Sequence, residues 1–361
     1  MTVDVVTKDE ITKLLNNWYS KIRSHHVDKA KELKTEIDQK MHRMKEDQDI
    51  LLHYSLLDFR FQILTGDFQH DLILSEKLSI SEQTETFLQY YYHFFKFIYY
   101  TEISQYRKAK EHYESAERLL EAIPDEAEKA EFNYRASIFY YHIGDYSHSI
   151  SHAMEAKRFF SCNPSYEIKS VNCKITIAIS CIELSMFDLA EKQLKSSLNI
   201  LTEQKEKLFI VYYNLGLLYS QKGHSELAIK YLSASIKEKK HYKTMFLLAR
   251  EYFKVGNIED AHVYIQNGLK VCDKEYMHHF QILKEIVDQS SVEQIENVVE
   301  KALHYFKKEN MWRYVQDYAG ELAVRFFAAN NPKKSTKFFR LSYDAKQILN
   351  WEILHINHIE A

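Results

Sequence analysis

The sequence predicts an all-α fold, in which an N-terminal three-helix bundle precedes a long array of helical hairpins. Three observations support this: few residues that break helices, apolar stripes at helical spacing, and one spacing pattern that recurs along the chain. The 361 residues include only 7 Gly and 3 Pro, against average usage of roughly 7% and 5%. So few turn-forming residues leave little material for the tight turns of β-sheets.

Three amphipathic segments at the N-terminus predict the bundle. They span Ile11–Ser24, Val27–Met44 and Ile50–Leu64, and each carries apolar residues on one stripe. The next segment, Thr65–Glu85, is more polar and contains Gly66, which predicts a connector with a mobile stretch. The predicted domains are the bundle, the connector and the repeats, at residues 1–65, 66–89 and 90–361.

One spacing of three small residues recurs five times after the connector. A small residue stands twelve positions before a second, which stands seven positions before a third. Small residues let two antiparallel helices approach closely where they cross, while large apolar residues fill the grooves on either side. Among the first, middle and third members, only Phe97, the first member of the first copy, is not a small residue. The middle members are Ala109, Ser149, Ala190, Ala228 and Ala261, and the turn residues before them are Ser104, Gly144, Ser185, Gly223 and Gly256.

This spacing is similar to the tetratricopeptide consensus, whose bare repeat is about 34 residues long. A sixth copy fits Ala323, Asn330 and Ser335, and a degenerate copy fits around Lys284–Phe306. The sequence therefore predicts a right-handed tetratricopeptide-repeat superhelix from about residue 90 to 361. Such arrays offer extended surfaces for binding proteins and peptides.

Composition argues against several classes of function. The net charge is −3 and the pI is near 6.7, so bulk electrostatics does not drive direct binding to nucleic acid. No run of about 18 apolar residues is present, so we expect no membrane span. The four cysteines form no CxxC pair. This predicts reduced thiols in a cytoplasmic protein, with Cys173 and Cys181 buried.

Motifs for catalysis or metal binding are absent from the sequence. It contains no Gly-rich phosphate loop, GxSxG or dinucleotide fingerprint. The pairs His25–His26 and His278–His279 lack HExxH spacing, so packing or solvated roles are favoured over metal binding. These tests alone predict a scaffold that grips partners and has no metal or cofactor of its own.

Three motifs in the N-terminal segment closely resemble one family. They are Asn17–Tyr19 (NWY), Glu46–Asp49 (EDQD) and Ser55–Arg60 (SLLDFR). Together they resemble the Rap family of Gram-positive bacteria, which comprises response-regulator aspartate phosphatases and non-catalytic relatives. The family plan is a three-helix bundle, a linker and a tetratricopeptide array, which covers this whole chain. One departure is Phe61, where the family often has His.

The resemblance gives the EDQD segment a second interpretation. Considered alone, Asp47 or Asp49 caps the third helix and complements its dipole. In the family, a glutamine at the position of Gln48 enters the regulator's active site and orients a water towards the aspartyl phosphate. A neutral amide suits this task because it accepts and donates hydrogen bonds. Glu46 and Asp47 contact the regulator or simply cap the helix, and the regulator supplies the divalent metal (Mg²⁺).

Two main functions stay open at this point. One is dephosphorylation of a response regulator, and the other is stoichiometric inhibition of a response-regulator transcription factor by blocking its DNA binding. Family members of both kinds keep this glutamine, so Gln48 permits catalysis without proving it. A general peptide-binding adaptor is a third and weaker interpretation. The expected partners are a response regulator and a short, secreted and re-imported oligopeptide, with no direct contact to nucleic acid or membrane.

A peptide site is expected on the first helix of each hairpin. Asn214 can bond both the N–H and C=O of an extended peptide, or it can stabilise its own repeat. The resemblance assigns Asn214 and Glu183 to the peptide site, and it points to His279 where relatives can be acidic. By register the lining positions include Glu131, Tyr134, Asn172, Glu183, Tyr213, Asn214, Leu217 and Arg250.

Regulation is expected to act through docking of the bundle. The aromatic run Tyr90–Phe97 supplies a large apolar surface directly after the connector. Stripes of the bundle that include Trp18 and Phe59 can pack against it. A peptide that prefers this arrangement would then switch the protein off at a distance.

Overall fold

The computed structural model describes residues 7–44, 47–66, 80, 83–201 and 205–357. These residues form helices joined by short turns, and none of them forms a β-strand. The all-α prediction is therefore confirmed. Within this part of the chain no helix is both long enough and apolar enough to cross a membrane.

The N-terminal segment forms three helices, as predicted. They are α1 (Lys8–Arg23), α2 (Val27–Met41) and α3 (Gln48–Thr65). The Thr7 hydroxyl caps α1 by accepting the N–H of Glu10 at 3.3 Å. Gly66 ends α3 in the left-handed conformation, with φ 74°, which glycine adopts at little cost. Most of the predicted connector after Gly66 lies outside the described residues.

Seven helical hairpins follow in the described part of the chain. The first helices are α4 (Thr86–Glu102), α6 (Glu126–His142), α8 (Glu167–Glu183), α10 (Lys205–Gln221), α12 (Tyr242–Lys254), α14 (Lys274–Val287) and α16 (Trp312–Ala328). The second helices are α5 (Tyr106–Leu120), α7 (Tyr146–Ser161), α9 (Phe187–Leu198), α11 (Ser225–Glu238), α13 (Ile258–Leu269), α15 (Val292–Lys308) and α17 (Pro332–Asn357). The degenerate copy is the α14–α15 hairpin, which begins about ten residues earlier than its sequence suggested.

The repeat spacing marks helix crossings, as predicted. The middle members, from Ala109 to Ala261, are fully buried. A Cβ added at Gly268 would lie 2.0 Å from Cζ of Phe280, so only glycine fits that crossing. All five predicted turn residues have positive φ, from 57° at Ser185 to 79° at Gly144 and Gly256.

Contacts between Cα atoms divide the chain into two compact units, Met1–Thr176 and Ile177–Ala361. The first unit contains the bundle and the hairpins up to the first part of α8. The second contains the remaining hairpins. Cys173 and Cys181 are both buried and lie outside any disulfide, as expected.

Candidate functional site

Gln48 is the first residue of α3, and its side chain is exposed. The preceding residue, Asp47, caps the helix by accepting the N–H groups of Asp49 and Ile50, both at 3.1 Å. The ammonium of Lys8 lies 2.8 Å from the other carboxylate oxygen of Asp47. Its hydrogen bond, with the two backbone N–H groups, lowers the pKa of Asp47. The Asp47 cap and its contact with Lys8 of α1 therefore fix the start of α3, where Gln48 is exposed.

The capping interpretation of Asp47 is confirmed, whereas contact of Asp47 with a regulator stays a prediction. Glu46, the other residue expected at that contact, lies outside the described residues. The described residues also contain no group of three or more His, Cys, Asp or Glu side chains placed to hold a metal ion.

The bundle is docked on the first hairpins through aromatic side chains. The Tyr19 ring lies 5.1 Å from Tyr91 and 5.7 Å from Phe95, measured between centroids. On α3, Phe59 lies 5.4 Å from Tyr99 in the same way. These contacts place the bundle against α4, and Phe59 packs there as expected. Trp18, which was also expected to pack there, instead contacts Tyr54 and Phe61 of the bundle.

Two of the family-like motifs, NWY and SLLDFR, supply both core contacts of the bundle and the docking contacts of Tyr19 and Phe59. Trp18 of NWY is fully buried within the bundle, and its ring lies 5.7 Å from Phe61. Phe61, the departure from the family pattern, therefore packs in the bundle core. Asp58 of SLLDFR binds the Lys34 ammonium at 2.7 Å, which joins α3 to α2. The motifs thus build the bundle and its docking surface.

Two buried carboxylates on α6 face the docked bundle. The first, Glu128, is fully buried. One of its oxygens accepts hydrogen bonds from the hydroxyls of Tyr19 at 2.8 Å and Tyr90 at 2.9 Å. The other accepts Nη1 of Arg23 at 2.9 Å, and the same nitrogen lies 2.7 Å from Asp125. Burial raises the pKa of Glu128, although Arg23 and the two hydroxyls favour its ionised form.

The second carboxylate, Glu131, is 1% exposed and surrounded by cations. It accepts the Lys169 ammonium at 2.7 Å and Nε of Arg135 at 3.0 Å, while Nη2 of Arg60 lies 3.7 Å away. Burial alone would raise the pKa of Glu131, but these three cations hold it well below its usual range. The positive charge of Lys169, together with burial, keeps the pKa of nearby His25 far below its ordinary value.

Glu131 and Tyr134 were expected to line a peptide groove, and for Glu131 this is wrong. The docked bundle covers Glu131, which is used in ion pairs within the chain. Tyr134 is 8% exposed, and the Lys169 ammonium lies 4.7 Å from its ring centroid. A register argument identifies the face of a helix, but it does not show which part of the chain covers that face.

A cavity of about 570 Å³ lies among the first helices of the second unit. Three predicted peptide-binding residues line it: Tyr213, Arg250 and His279. Leu217, also predicted to line the groove, does so as well. The sequence reasoning missed the aromatic and acidic side chains from α12, α14 and α16, which are Phe246, Tyr276, Tyr314, Asp317, Tyr318 and Glu321. Their recurrence on first helices was a usable signal, but α14 belongs to the degenerate copy, and the sixth copy was matched only from Ala323 onwards.

Asn214 and Glu183 are engaged by other groups of the second unit. The amide of Asn214 donates to the Ile210 carbonyl at 2.8 Å in its own helix, and the residue is 6% exposed. Glu183 lies 3.5 Å from the Arg313 guanidinium. His279 is 4% exposed, and its Nδ1 lies 2.6 Å from the Tyr318 hydroxyl. Binding of a peptide by these three residues stays a prediction.

Arg250 is held in the cavity wall by a buried acidic group. Its Nη2 donates to the Ser220 hydroxyl at 3.0 Å, and that hydroxyl donates to Glu251 at 2.6 Å. Glu251 is fully buried and also accepts the Lys254 ammonium at 2.7 Å. On α16, burial raises the pKa of Asp317. The cavity thus has a cationic wall on α12, carboxylates on α16 and aromatic rings between them.

Comparisons with known proteins agree with this architecture. The N-terminal family model of response regulator aspartate phosphatase H matches residues 5–66, and that of the SusR N-terminal TPR domain matches residues 121–274. Response regulator aspartate phosphatase I of Bacillus subtilis is 28% identical, over 99% of this chain and 96% of that protein. Regulatory protein RapG of the same organism is 32% identical, over 72% of this chain and 73% of RapG.

Solved structures give the same result. The apo form of RapI superposes with a TM-score of 0.72 at 28% identity, covering 94% of this chain and 98% of that one. A Rap protein complexed with Competence and Sporulation Factor superposes with a TM-score of 0.79 at 25% identity, covering 96% and 100%. The bundle motifs, the hairpin array and these similarities together establish that the chain belongs to the Rap family.

Proposed function

We propose that this chain hydrolyses the phosphoaspartate of a response regulator, and that a short peptide bound in the second unit inhibits it. The observation that carries the catalytic part is the exposed Gln48 at the capped start of α3. Asp47 and Lys8 fix this turn, so the amide reaches a partner from a defined position. Positioning of this kind is a large part of catalysis in phosphoryl transfer.

The chemistry asks little of this chain. Water attacks phosphorus, the bond from phosphorus to the aspartyl oxygen breaks, and the products are the regulator's carboxylate and inorganic phosphate. The Gln48 carbonyl accepts a hydrogen bond from the attacking water, and its NH₂ donates to a phosphoryl oxygen. Mg²⁺ held by the regulator would supply neutralisation of charge on the phosphoryl group.

The cavity supports the peptide part of the proposal. Aromatic rings bury apolar side chains, while Arg250 and the carboxylates on α16 match the charges of a short peptide. The peptide-bound relative, whose partner is Competence and Sporulation Factor, has the same fold along almost the whole chain. A peptide bound in the cavity then favours the docked position of the bundle over the position in which the bundle binds the regulator.

The test uses a purified response regulator carrying labelled phosphate on its aspartate. Wild-type protein at substoichiometric amounts should release the label as inorganic phosphate. Gln48→Ala should lose at least about 100-fold in rate, as expected when a positioning group is removed. Gln39→Ala, at another exposed glutamine on α2, is the matched control and should retain full activity.

Other outcomes separate the alternatives. Full activity of Gln48→Ala would remove Gln48 from the mechanism. A regulator that keeps its label but no longer binds DNA would support stoichiometric inhibition. A panel of response regulators that neither lose label nor bind this chain would reject both.

A further inference from the structure

Two arginines of the bundle reach the same helix of the repeats, but they are paired very differently. Nη1 of Arg23 lies 2.7 Å from Asp125 and 2.9 Å from Glu128, while its buried Nε has no hydrogen bond within the described part of the chain. Arg60 is 1% exposed, and its Nη1 and Nη2 both lack hydrogen bonds among the described residues. Its nearest carboxylate, on Glu131, is 3.7 Å away, which is beyond hydrogen-bond distance.

The charge around the two arginines differs in sign. Arg23 enters a site with two carboxylates, so it neutralises part of an excess of negative charge. Arg60 enters a site where the single buried carboxylate of Glu131 already binds Arg135 and Lys169. Another carboxylate near that site, on Glu102, is 44% exposed and lies 3.7 Å from Arg135. Docking therefore adds the Arg60 guanidinium beside one buried carboxylate that two other basic side chains already contact.

The free energy of these two burials has opposite signs. A buried charge that keeps short, charge-assisted hydrogen bonds recovers most of its lost hydration. A buried guanidinium with unsatisfied donors does not, and each such donor adds a desolvation penalty. Burial and repulsion by Arg135 also lower the pKa of Arg60 to about 10, against its usual value above 12.

We propose that Arg23 holds the bundle on the repeats and that Arg60 opposes docking, so the docked arrangement is only marginally stable. The opposing contributions of Arg23 and Arg60 keep the free energies of the docked and undocked positions of the bundle close to each other. The consequence of this for regulation rests on the proposed function. When the docked and undocked forms have similar free energies, a peptide of modest differential affinity can move most molecules to the docked form. A strongly docked bundle would not need a peptide.

The experiment compares Arg23→Met with Arg60→Met in the full chain, since the two changes are chemically identical. Spin labels at Lys29→Cys on α2 and Glu111→Cys on α5, both exposed, report the distance from bundle to repeats by double electron–electron resonance. Cys162 and Cys272 are replaced by Ser to avoid extra labels. Each protein is titrated with urea, and circular dichroism follows its helix content. Arg158→Met, at a 77% exposed side chain of α7, is the control.

Arg23→Met should lower the ratio of docked to undocked molecules by about tenfold or more, because Glu128 and Asp125 lose their cation. Arg60→Met should raise it several-fold and move bundle release to higher urea. The control should match wild type. Shifts of both variants in the same direction would overturn the proposal. So would release that coincides with loss of helix in wild type, since docking would then not be marginal. Neither result depends on a regulator or a peptide, so failure of the proposed function is seen separately.

Discussion

The first helices of the hairpins are used differently in the two units. In the first unit, α4 and α6 are covered by the chain's own bundle, and Glu128 and Glu131 are almost completely buried. In the second unit, the first helices line an open cavity, and the Arg250 side chain remains 37% exposed. One repeat architecture therefore supplies both an internal docking surface and a ligand surface. Charges on the covered face must be matched within the chain, whereas those in the cavity can be matched by a ligand.

The largest expected effect is on the covered face. Glu131→Gln leaves Lys169, Arg135 and Arg60 without their buried counter-ion, so we expect the free energy of unfolding to fall by about 3–5 kcal/mol. Urea unfolding followed by circular dichroism measures this loss of stability, because helix content should be lost at a lower urea concentration.

Glu155→Gln is the control, because Glu155 pairs with Arg158 on an exposed part of α7. It should change stability by less than about 0.5 kcal/mol. Equal effects of Glu131→Gln and Glu155→Gln would mean that the covered face tolerates unmatched charge as well as an exposed one does.

A smaller effect is expected at the crossings of the second unit. An added methyl at Gly268 would lie 2.0 Å from the Phe280 ring, so Gly268→Ala should cost about 1–3 kcal/mol through overpacking. At Gly320 the nearest atom is the Ser342 hydroxyl at 3.2 Å, which needs to move by only a few tenths of an ångström. Thermal unfolding should therefore show Gly320→Ala near wild type. The reverse order would mean that small residues at crossings do not govern packing here.

Much of this fold was predictable because its determinants are local. Turn residues such as Gly144 and the small residues at crossings repeat at fixed spacing, so several copies report the same geometry. The Asp47 cap lies within the first turn of its own helix, so the local sequence predicted it. The role of Gln48 came from the family resemblance and stays a prediction. The position of Arg60 beside Glu131 was not predictable, because it depends on how one helix docks on another that is far away in the chain.

The cavity was only partly predictable for a related reason. Tyr213 and Arg250 lie in well-formed repeats, so their register identified them. Tyr314 and Tyr318 lie on α16 before Ala323, the first matched position of the sixth copy, so the repeat pattern was not extended back to them. Asn214 shows the remaining problem, since its amide bonds within its own helix. The sequence is compatible with both roles of Asn214, which are peptide binding and stabilisation of its own repeat, and it does not distinguish between them.

The open cavity gives the third prediction. Arg250→Met removes a guanidinium that Ser220 and the buried Glu251 hold in place. We expect about tenfold weaker binding of an inhibitory peptide, which corresponds to about 1.4 kcal/mol, with unchanged docking of the bundle. Isothermal titration calorimetry with short synthetic peptides measures the affinity. Arg340→Met, at an 85% exposed side chain of α17, is the control. Equal binding by Arg250→Met and wild type would remove Arg250 from the peptide site.

The smallest expected effect is a pH dependence confined to the covered face. Burial lowers the pKa of Lys169 to about 7, although Glu131 opposes this shift, while Arg135 and Arg60 add to it. In the docked form the other neighbours do not titrate near pH 7. The pKa of His25 lies far below that value. Burial raises the pKa values of Tyr134 on α6 and Cys173 on α8.

Undocking hydrates Lys169 and removes Arg60, so the pKa of Lys169 rises towards its ordinary value. The docked form then binds fewer protons than the undocked form above pH 7, and docking must strengthen as pH increases. The docked-to-undocked ratio should rise by up to about tenfold between pH 7 and pH 8, since one proton is released. Spin-label distances in buffers of equal ionic strength measure this ratio. In Lys169→Met most of the dependence should vanish. A change of less than about twofold should remain, because the pKa of His25 returns towards its ordinary value on undocking. A ratio that falls with pH, or a Lys169→Met variant that keeps the full dependence, would show that another group controls the covered face.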